Sequence, residues 1–348
     1  MDSAARYSAA GVSAAWHAKY LDWQRARRFW AGDASTDPLS SSMIKDPTLR
    51  GIALMMAFCV LAPLLDTASK LATTTIPVGQ ITTARFVVQG ALMVPVVLAM
   101  GLTWHIPLRL AGLITARAVL LILSTYGFVA AVVVMPIADA LAIVFVEPFI
   151  LLILGHLLFG DHIGPRRIIA SIVGFFGALL VIQPSLSAFG WVALYPLATA
   201  FLFAGYMLIT RSISTRMHPV TQQLHTSIAG SLICLPIMLL ADGSGILALD
   251  PVLPQGWAWL WLFGVGFWAA ASHMCMTLAL QYAPASTLAP IHYLEIVTAV
   301  ALGYAVFGDF PNWMTGAGIA IIVASGLYVI LRERQTAART RAELPAEI

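Results

Sequence analysis

Two glutamates are the residues of this sequence whose positions point most directly to chemistry. Glu147 and Glu295 each lie in a long apolar run, eleven residues after Pro136 and Pro284 respectively. A charged side chain at the centre of a bilayer costs at least about 2.5–3.5 kcal/mol on insertion scales. Such carboxyls either bind a substrate or a coupling proton, or they are protonated or paired groups joining neighbouring helices. We favour the functional interpretation, because Pro148 leaves a carbonyl of the previous turn unpaired beside Glu147.

Three more charged residues lie within or at the ends of the first two apolar runs. Asp66 and Lys70 are four residues apart and share a helix face. Arg85 lies eight residues into the second run, which is about 12 Å deep at 1.5 Å per residue and level with Asp66. The sequence therefore predicts an Asp66–Arg85 or Asp66–Lys70 pair. Such a pair either gates a pathway or joins the first two helices. In the structural interpretation, which we favour, Lys70 can instead extend to the outer membrane interface.

Aromatic and imidazole side chains form a third set of candidates: His292, Tyr293, Trp268, His273 and Tyr126. His292 precedes Glu295 by three residues and shares its helix face. Groups of these types stack on and hydrogen-bond a planar heteroaromatic ligand. For each one taken alone, ordinary packing is the stronger interpretation.

Other kinds of chemistry find no support in the sequence. It has no phosphate-binding Gly-rich loop with Lys, no dinucleotide fingerprint and no H-E-x-x-H motif. The cysteines Cys59, Cys234 and Cys275 lie in apolar runs without disulfide or zinc-ligand spacing. We therefore expect no catalytic residue, no metal, no cofactor and no enzymatic activity. The alternative class is a non-transporting membrane subunit or an intramembrane enzyme.

Composition places the chain in a membrane. It is 60% hydrophobic and 10% charged, against about 25% charged residues in a soluble domain. Mean hydropathy is +0.87. So few charges cannot solvate the surface of a domain of 348 residues, so lipid must cover most of it. The net charge of +3 is too small to indicate a nucleic-acid partner.

A spanning helix needs about 20 mostly apolar residues, and segmentation at Pro, Gly and charge clusters predicts ten of them. They lie near 51–71, 77–100, 110–133, 137–159, 166–184, 190–210, 219–241, 256–280, 285–307 and 311–331. The predicted fold is an all-α membrane protein.

The basic residues predict the orientation of these spans. With the N-terminus in the cytoplasm, the cytoplasmic segments hold all of the 19 Lys and Arg residues except Lys70, Arg85 and Arg117. Those three lie within or at the ends of spans, and no external loop has a Lys or Arg. We therefore expect a multi-pass protein of the bacterial inner membrane with both termini in the cytoplasm.

An internal repeat organises the spans. Residues 136–161 and 284–309 align without a gap at an offset of 148 and both end in Phe-Gly-Asp. Pro136, Glu147 and Gly155 match Pro284, Glu295 and Gly303. Because each repeat has an odd number of helices, five, the two repeats enter the membrane from opposite sides. Inverted repeats of this kind are typical of transporters that open one central site to each side in turn.

The repeat divides the chain into four predicted parts: a basic cytoplasmic tail over 1–50, five-helix repeats over 51–184 and 190–332, and a cytoplasmic tail over 333–348. The first tail, with Trp16, Trp23 and Trp30 among its basic residues, is either a dispensable segment or an amphipathic one on the membrane surface. Whether translation starts at Met1 or Met43 stays open.

Two five-helix units, each with a Pro-led helix ending in Phe-Gly-Asp and then a Gly-rich helix, resemble the EamA family of the drug/metabolite transporter superfamily. Asp161 and Asp309 stand where the family more often has Glu. The resemblance implies a cavity formed mainly by spans 1, 3, 4, 6, 8 and 9. The front segments "APLLDTASKLA" and "GQITTARFVVQG" are most similar to those of bacterial riboflavin-uptake members.

The expected function is therefore secondary transport of a small metabolite by alternating access, with riboflavin uptake as the leading substrate hypothesis. Export or permeation of amino acids or related metabolites is the alternative. The expected partners are the small-molecule substrate and the lipid bilayer, and homodimer formation stays open.

Overall fold

The computed structural model describes residues 47–135, 137–160, 164–182, 190–214, 216–308 and 313–343. The predicted N-terminal tail up to Asp46, the repeat residues Pro136, Asp161 and Asp309, and the last five residues lie outside the described part. All regular structure within it is helical.

Six helices of the first repeat lie in the described residues. They are α1 (Pro47–Ala72), α2 (Val78–Ala99), α3 (Leu108–Val134), α4 (Ile137–Val144), α5 (Glu147–Phe159) and α6 (Pro165–Ile182). The second repeat has the same order after a 3₁₀ turn over Gly190–Ala193. It contains α7 (Leu194–Ser214), α8 (Pro219–Ala241), α9 (Ala258–Tyr282), α10 (Ala285–His292), α11 (Glu295–Leu302) and α12 (Trp313–Glu343), with a π-helical turn over Gly303–Phe307.

These helices account for the ten predicted spans. In the described residues, seven helical segments are long and apolar enough to cross a membrane. Shorter apolar helices over Glu147–Phe159, Ile168–Gly177 and Gly316–Arg332 supply the rest. The prediction of an all-α membrane protein with two inverted five-helix repeats is confirmed.

The sequence predicts that the fourth and ninth spans are continuous helices, but the structure shows that both are broken. Each is interrupted just before its glutamate, at Phe145–Val146 in one repeat and Tyr293–Leu294 in the other. At both places a backbone hydrogen bond joins residues that are three apart instead of four. The Phe149 amide donates to the Val146 carbonyl (3.1 Å), and the Val297 amide donates to the Leu294 carbonyl (3.1 Å). Pro148 contributes to the first break because it has no amide hydrogen. Glu147 and Glu295 thereby become the first residues of α5 and α11.

The two repeats pack helix against helix. α1 lies against α9, α2 against α8, α3 against α7 and α6 against α12. Glycines permit the closest of these approaches: a Cβ on Gly230 of α8 would lie 2.4 Å from the Phe86 ring of α2. The same atom on Gly266 of α9 would lie 2.3 Å from Val88. The breaks in spans 4 and 9 meet in the core, where Phe145 and Tyr293 belong to one buried apolar cluster.

Candidate functional site

A cavity lies between the repeats. Its lining includes Phe58, Leu65 and Asp66 of α1, Arg85 of α2, Ser124, Thr125 and Phe128 of α3, Leu141 and Val144 of α4, Phe145, Phe203 of α7, His273 of α9, His292 and Glu295. These residues come from spans 1, 3, 4, 6, 8 and 9, as the family resemblance implies, with Arg85 added from span 2. The cavity volume of about 80 Å³ is below the ~300–1,000 Å³ of common ligand pockets. A metabolite-sized ligand therefore requires the helices to move apart.

The two equivalent glutamates meet through one imidazole. His292 Nδ1 lies 2.8 Å from Glu147 Oε2, and His292 Nε2 lies 2.8 Å from Glu295 Oε2. All three side chains are buried. Since each ring nitrogen faces a carboxylate oxygen, the imidazole either carries both protons or faces one protonated carboxyl. We call these three residues the acidic triad.

The helix breaks create this arrangement. Glu147 begins α5 and Glu295 begins α11, where free backbone amides favour negative charge. Residue His292 is the last of α10, and the Phe58 ring of α1 packs at 5.3 Å from its imidazole. The thiol of Cys59 lies 3.5 Å from the Ile291 carbonyl, at the end of α10. Helix α1 therefore covers the break that positions the triad.

A second buried network runs from the cavity in another direction. Arg85 donates to the Thr125 hydroxyl and contacts His273 Nε2. The other nitrogen of His273, Nδ1, lies 2.9 Å from the Tyr206 hydroxyl, which accepts from Arg117 at 2.8 Å. Because arginine only donates, His273 must accept at Nε2 and carry its proton on Nδ1. We call this series the basic network; it holds His273 neutral.

Arg117 is the end of the basic network and is completely buried. It also donates to Thr210 (2.7 Å), Gln223 (2.9 Å) and Thr226. Its guanidinium lies over the Tyr206 ring at 4.5 Å. In the described part of the chain no carboxylate pairs with it, so neutral oxygens from α7 and α8 satisfy the cation.

Of the three charged residues in the first two spans, Asp66 and Arg85 share the cavity, whereas Lys70 lies elsewhere. Asp66 and Arg85 both line the cavity and interact electrostatically. Among the described residues, neither has an oppositely charged atom within 4 Å in an ion pair. The Lys70 ammonium lies 5.3 Å from the centre of the Phe307 ring.

The aromatic and imidazole candidates divide into two groups. His273 and His292 line the cavity, with Glu295 beside them. Tyr293 does not; its hydroxyl donates to the Phe145 carbonyl at 3.2 Å and so connects the two helix breaks. Trp268 and Tyr126 pack at the edge of an apolar cluster formed by α1, α2, α3 and α9.

Several important residues escaped the sequence-based reasoning. The aromatic walls Phe58, Phe128, Phe145 and Phe203 resemble any other phenylalanine in an apolar run. Tyr206 and Gln223 were equally hidden. A usable signal was the polar group Thr221, Gln222, Gln223 and Thr226 at the start of the seventh span, because buried amides and hydroxyls require partners.

Comparison with known proteins agrees with this architecture. The model of the "EamA-like transporter family" matches residues 49–183 and again residues 190–332. A riboflavin transporter from Rhizobium johnstonii is 29% identical over 62% of this chain and 69% of its own length. An S-adenosylmethionine uptake transporter from Rickettsia prowazekii is 23% identical over 83% of this chain and 95% of its own length. A crystal structure with 18% identity superposes with a TM-score of 0.66 and covers 83% of this chain and 98% of its own, a likeness of fold alone.

Proposed function

Because this chain belongs to the EamA-like transporter family, we propose that it takes up riboflavin across the bacterial inner membrane by secondary transport. A small molecule is the cargo and the two repeats are the moving parts. The relatives named as riboflavin transporters support the choice of substrate.

The single observation that carries the proposal is the composition of the cavity. Phe58, Phe145 and Phe203 line it together with Arg85 and with His292 and Glu295 of the acidic triad. Aromatic side chains pack favourably on a flat ring system, while a few convergent polar groups fix its orientation. Riboflavin combines a flat tricyclic ring with a polar edge and a hydroxylated chain.

The broken spans supply a mechanism for alternating access. Transporters with inverted repeats expose a midplane site by rocking one repeat against the other. Here the acidic triad joins Glu147 of the first repeat to His292 and Glu295 of the second. The Glu147–His292 contact joins α5 of one repeat to α10 of the other, so breaking it removes a link that holds the two repeats together in this conformation.

A proton is the coupling ion that the triad supports. The imidazole and two carboxyls share two protons when both contacts are made. Removing one proton leaves a nitrogen lone pair facing a carboxylate, and that repulsion opens one contact. The other titratable or charged groups near the triad are Cys59 and Asp66 on α1, Arg85 on α2, Tyr293, and His273 on α9.

Two experiments test the proposal. A riboflavin auxotroph carrying this gene should grow at low vitamin concentrations that do not support the empty-vector strain. Purified protein in proteoliposomes should accumulate labelled riboflavin. No growth advantage together with no flux would reject riboflavin as the substrate.

Uptake of S-adenosylmethionine is the second candidate, because Asp66 and Glu295 supply carboxylates to a cationic ligand in the same cavity. Labelled S-adenosylmethionine and amino acids, tested in the same vesicles in both directions, distinguish this candidate and amino-acid export from riboflavin uptake. Absence of flux for all of them would favour a non-transporting membrane subunit.

A further inference from the structure

Three polar groups in the cavity have hydrogen-bonding capacity that the protein does not use. Asp66 is half-buried, and its carboxylate accepts no hydrogen bond from the described residues. Ser124 is a buried residue that lines the cavity, and its hydroxyl likewise has no partner among the described residues. Arg85 uses its guanidinium on Thr125 and His273, which leaves Nε and further N–H groups without an acceptor.

Such groups are uncommon in a protein interior. More than 90% of buried polar groups have a partner, and the buried Nε of Arg85 is an exception. Arg85 lines one apolar cavity together with the carboxylate of Asp66 and the hydroxyl of Ser124, and a ligand there would satisfy all three groups.

The charges of these groups restrict the ligand. Asp66 and Arg85, an acid and a base, line the same cavity and, among the described residues, make no ion pair with each other within 4 Å. A ligand edge placed between them must offer a donor to Asp66 and an acceptor to Arg85. An uncharged edge that carries a donor beside its acceptors meets both requirements.

The basic network keeps Arg85 available for this role. His273 is neutral because it accepts from Arg85 at Nε2 while its Nδ1 meets the Tyr206 hydroxyl. It therefore does not neutralise the guanidinium. Arg117 holds Tyr206 in place from the other side at 2.8 Å.

We infer that Asp66, Arg85 and Ser124 recognise an imide edge, a ring N–H flanked by carbonyl oxygens, on a planar heteroaromatic substrate. Asp66 accepts from the ring N–H, and Arg85 and Ser124 donate to the carbonyl groups. In riboflavin this edge is the dioxopyrimidine part of the ring, so the inference rests on the proposed function and adds the orientation of the ligand.

The test is competition against labelled riboflavin uptake in proteoliposomes. In the unmodified protein, N3-methylriboflavin should compete at least tenfold more weakly than riboflavin. The methyl group removes the donor and leaves Asp66 unpaired, and sites built around a hydrogen bond reject analogues that lack it. Lumichrome retains the imide edge without the hydroxylated chain and should compete. Neither arm requires a protein variant, so folding defects cannot affect the result.

Variants then assign the contacts. Asp66→Asn should reduce the discrimination between riboflavin and its N3-methyl analogue to about twofold or less. Arg85→Lys, which keeps the charge but not the planar fork, should weaken competition by both riboflavin and lumichrome. Asp242→Asn makes the same chemical change in the exposed loop after α8 and should retain full discrimination.

The outcomes separate this inference from the proposed function. Riboflavin uptake with equal competition by both flavins, or discrimination that survives Asp66→Asn, would overturn the imide assignment while leaving riboflavin transport intact. A protein that transports no riboflavin would remove both. Competition by zwitterionic amino acids instead of lumichrome would replace the imide with an ammonium–carboxylate pair.

Discussion

His273 and His292 have opposite surroundings although both line one cavity. His273 lies between the donors of Arg85 and the Tyr206 hydroxyl that Arg117 holds. His292 lies between two carboxyls. A ring nitrogen that faces an arginine must accept, whereas one that faces a carboxylate must donate unless that carboxyl is protonated. Proton exchange is therefore expected at His292 and not at His273.

Replacement of the triad carboxyls tests this distinction. We expect unmodified protein to take up riboflavin faster as the external pH falls, because the triad must regain a proton to restore both contacts. Glu147→Gln or Glu295→Gln should abolish that pH dependence, since an amide cannot exchange the proton. The measurement is initial uptake in proteoliposomes across a pH series.

Asp242→Asn serves as the carboxyl-to-amide control, because this exposed residue lies outside the cavity. It should retain the pH profile of the unmodified protein. An unchanged profile in both glutamine variants would exclude the triad as the coupling site.

At the scale of elements, the discontinuous spans determine the site. Tyr293 and Phe145 are equivalent positions of the two repeats, and the tyrosine hydroxyl donates to the phenylalanine carbonyl at 3.2 Å. This bond satisfies one of the carbonyls that a helix break leaves without an intrahelical partner. It also fixes the two breaks against each other, and the glutamates follow two residues later in each repeat.

Tyr293→Phe removes that hydroxyl and little else. We expect a loss of about 1–2 kcal/mol in stability, the cost of leaving a buried carbonyl unpaired. The melting temperature in detergent should therefore fall by a few degrees. Tyr282→Phe at the exposed end of α9 is the matched control and should melt like the unmodified protein. Equal melting temperatures for the two variants would show that the bond contributes nothing.

The breaks show where sequence reasoning succeeds and where it stops. Hydropathy identifies the spans because lipid contact imposes a length and a composition on every helix. It also located Glu147 and Glu295, since charge is costly at that depth. The breaks depend on backbone hydrogen bonds, which the sequence does not show directly. Pro148 indicates the first break, but no proline follows Glu295 at the second. The phenylalanine walls were unpredictable for a related reason, because a cavity wall and a lipid-facing surface use the same residue type.

On the scale of the whole molecule, Arg117 connects the two repeats. The residue belongs to α3, and its acceptors Tyr206, Thr210 and Gln223 lie on α7 and α8 of the other repeat. A buried cation satisfied only by neutral oxygens depends on having all of them in place. The basic network therefore fixes how α3 of the first repeat packs against α7 and α8 of the second.

Arg117→Lys tests how much the planar fork contributes. Lysine keeps the charge but offers three donors from a single point, so several acceptors lose their partner. We expect the melting temperature to fall by about 3 °C, as a loss of about 2 kcal/mol would produce in a chain of this length. Arg109→Lys at the exposed start of α3 should shift it by less than about 1 °C. Similar changes in melting temperature in both variants would show that the basic network does not stabilise the protein.

The distribution of the basic residues predicts the orientation of the molecule, and cysteine labelling tests that prediction. Ser244 lies in the exposed loop after α8, and His105 lies in the exposed loop between α2 and α3. With both termini in the cytoplasm, the first loop is external and the second is internal. A membrane-impermeant maleimide should therefore label Ser244→Cys in intact cells and His105→Cys only after the cells are broken. Cys59 and Cys234 are buried, so the unmodified protein, with its partly buried Cys275, provides the background. The reverse pattern would place the termini outside, because a loop on the same side as the N-terminus shares its access to the reagent.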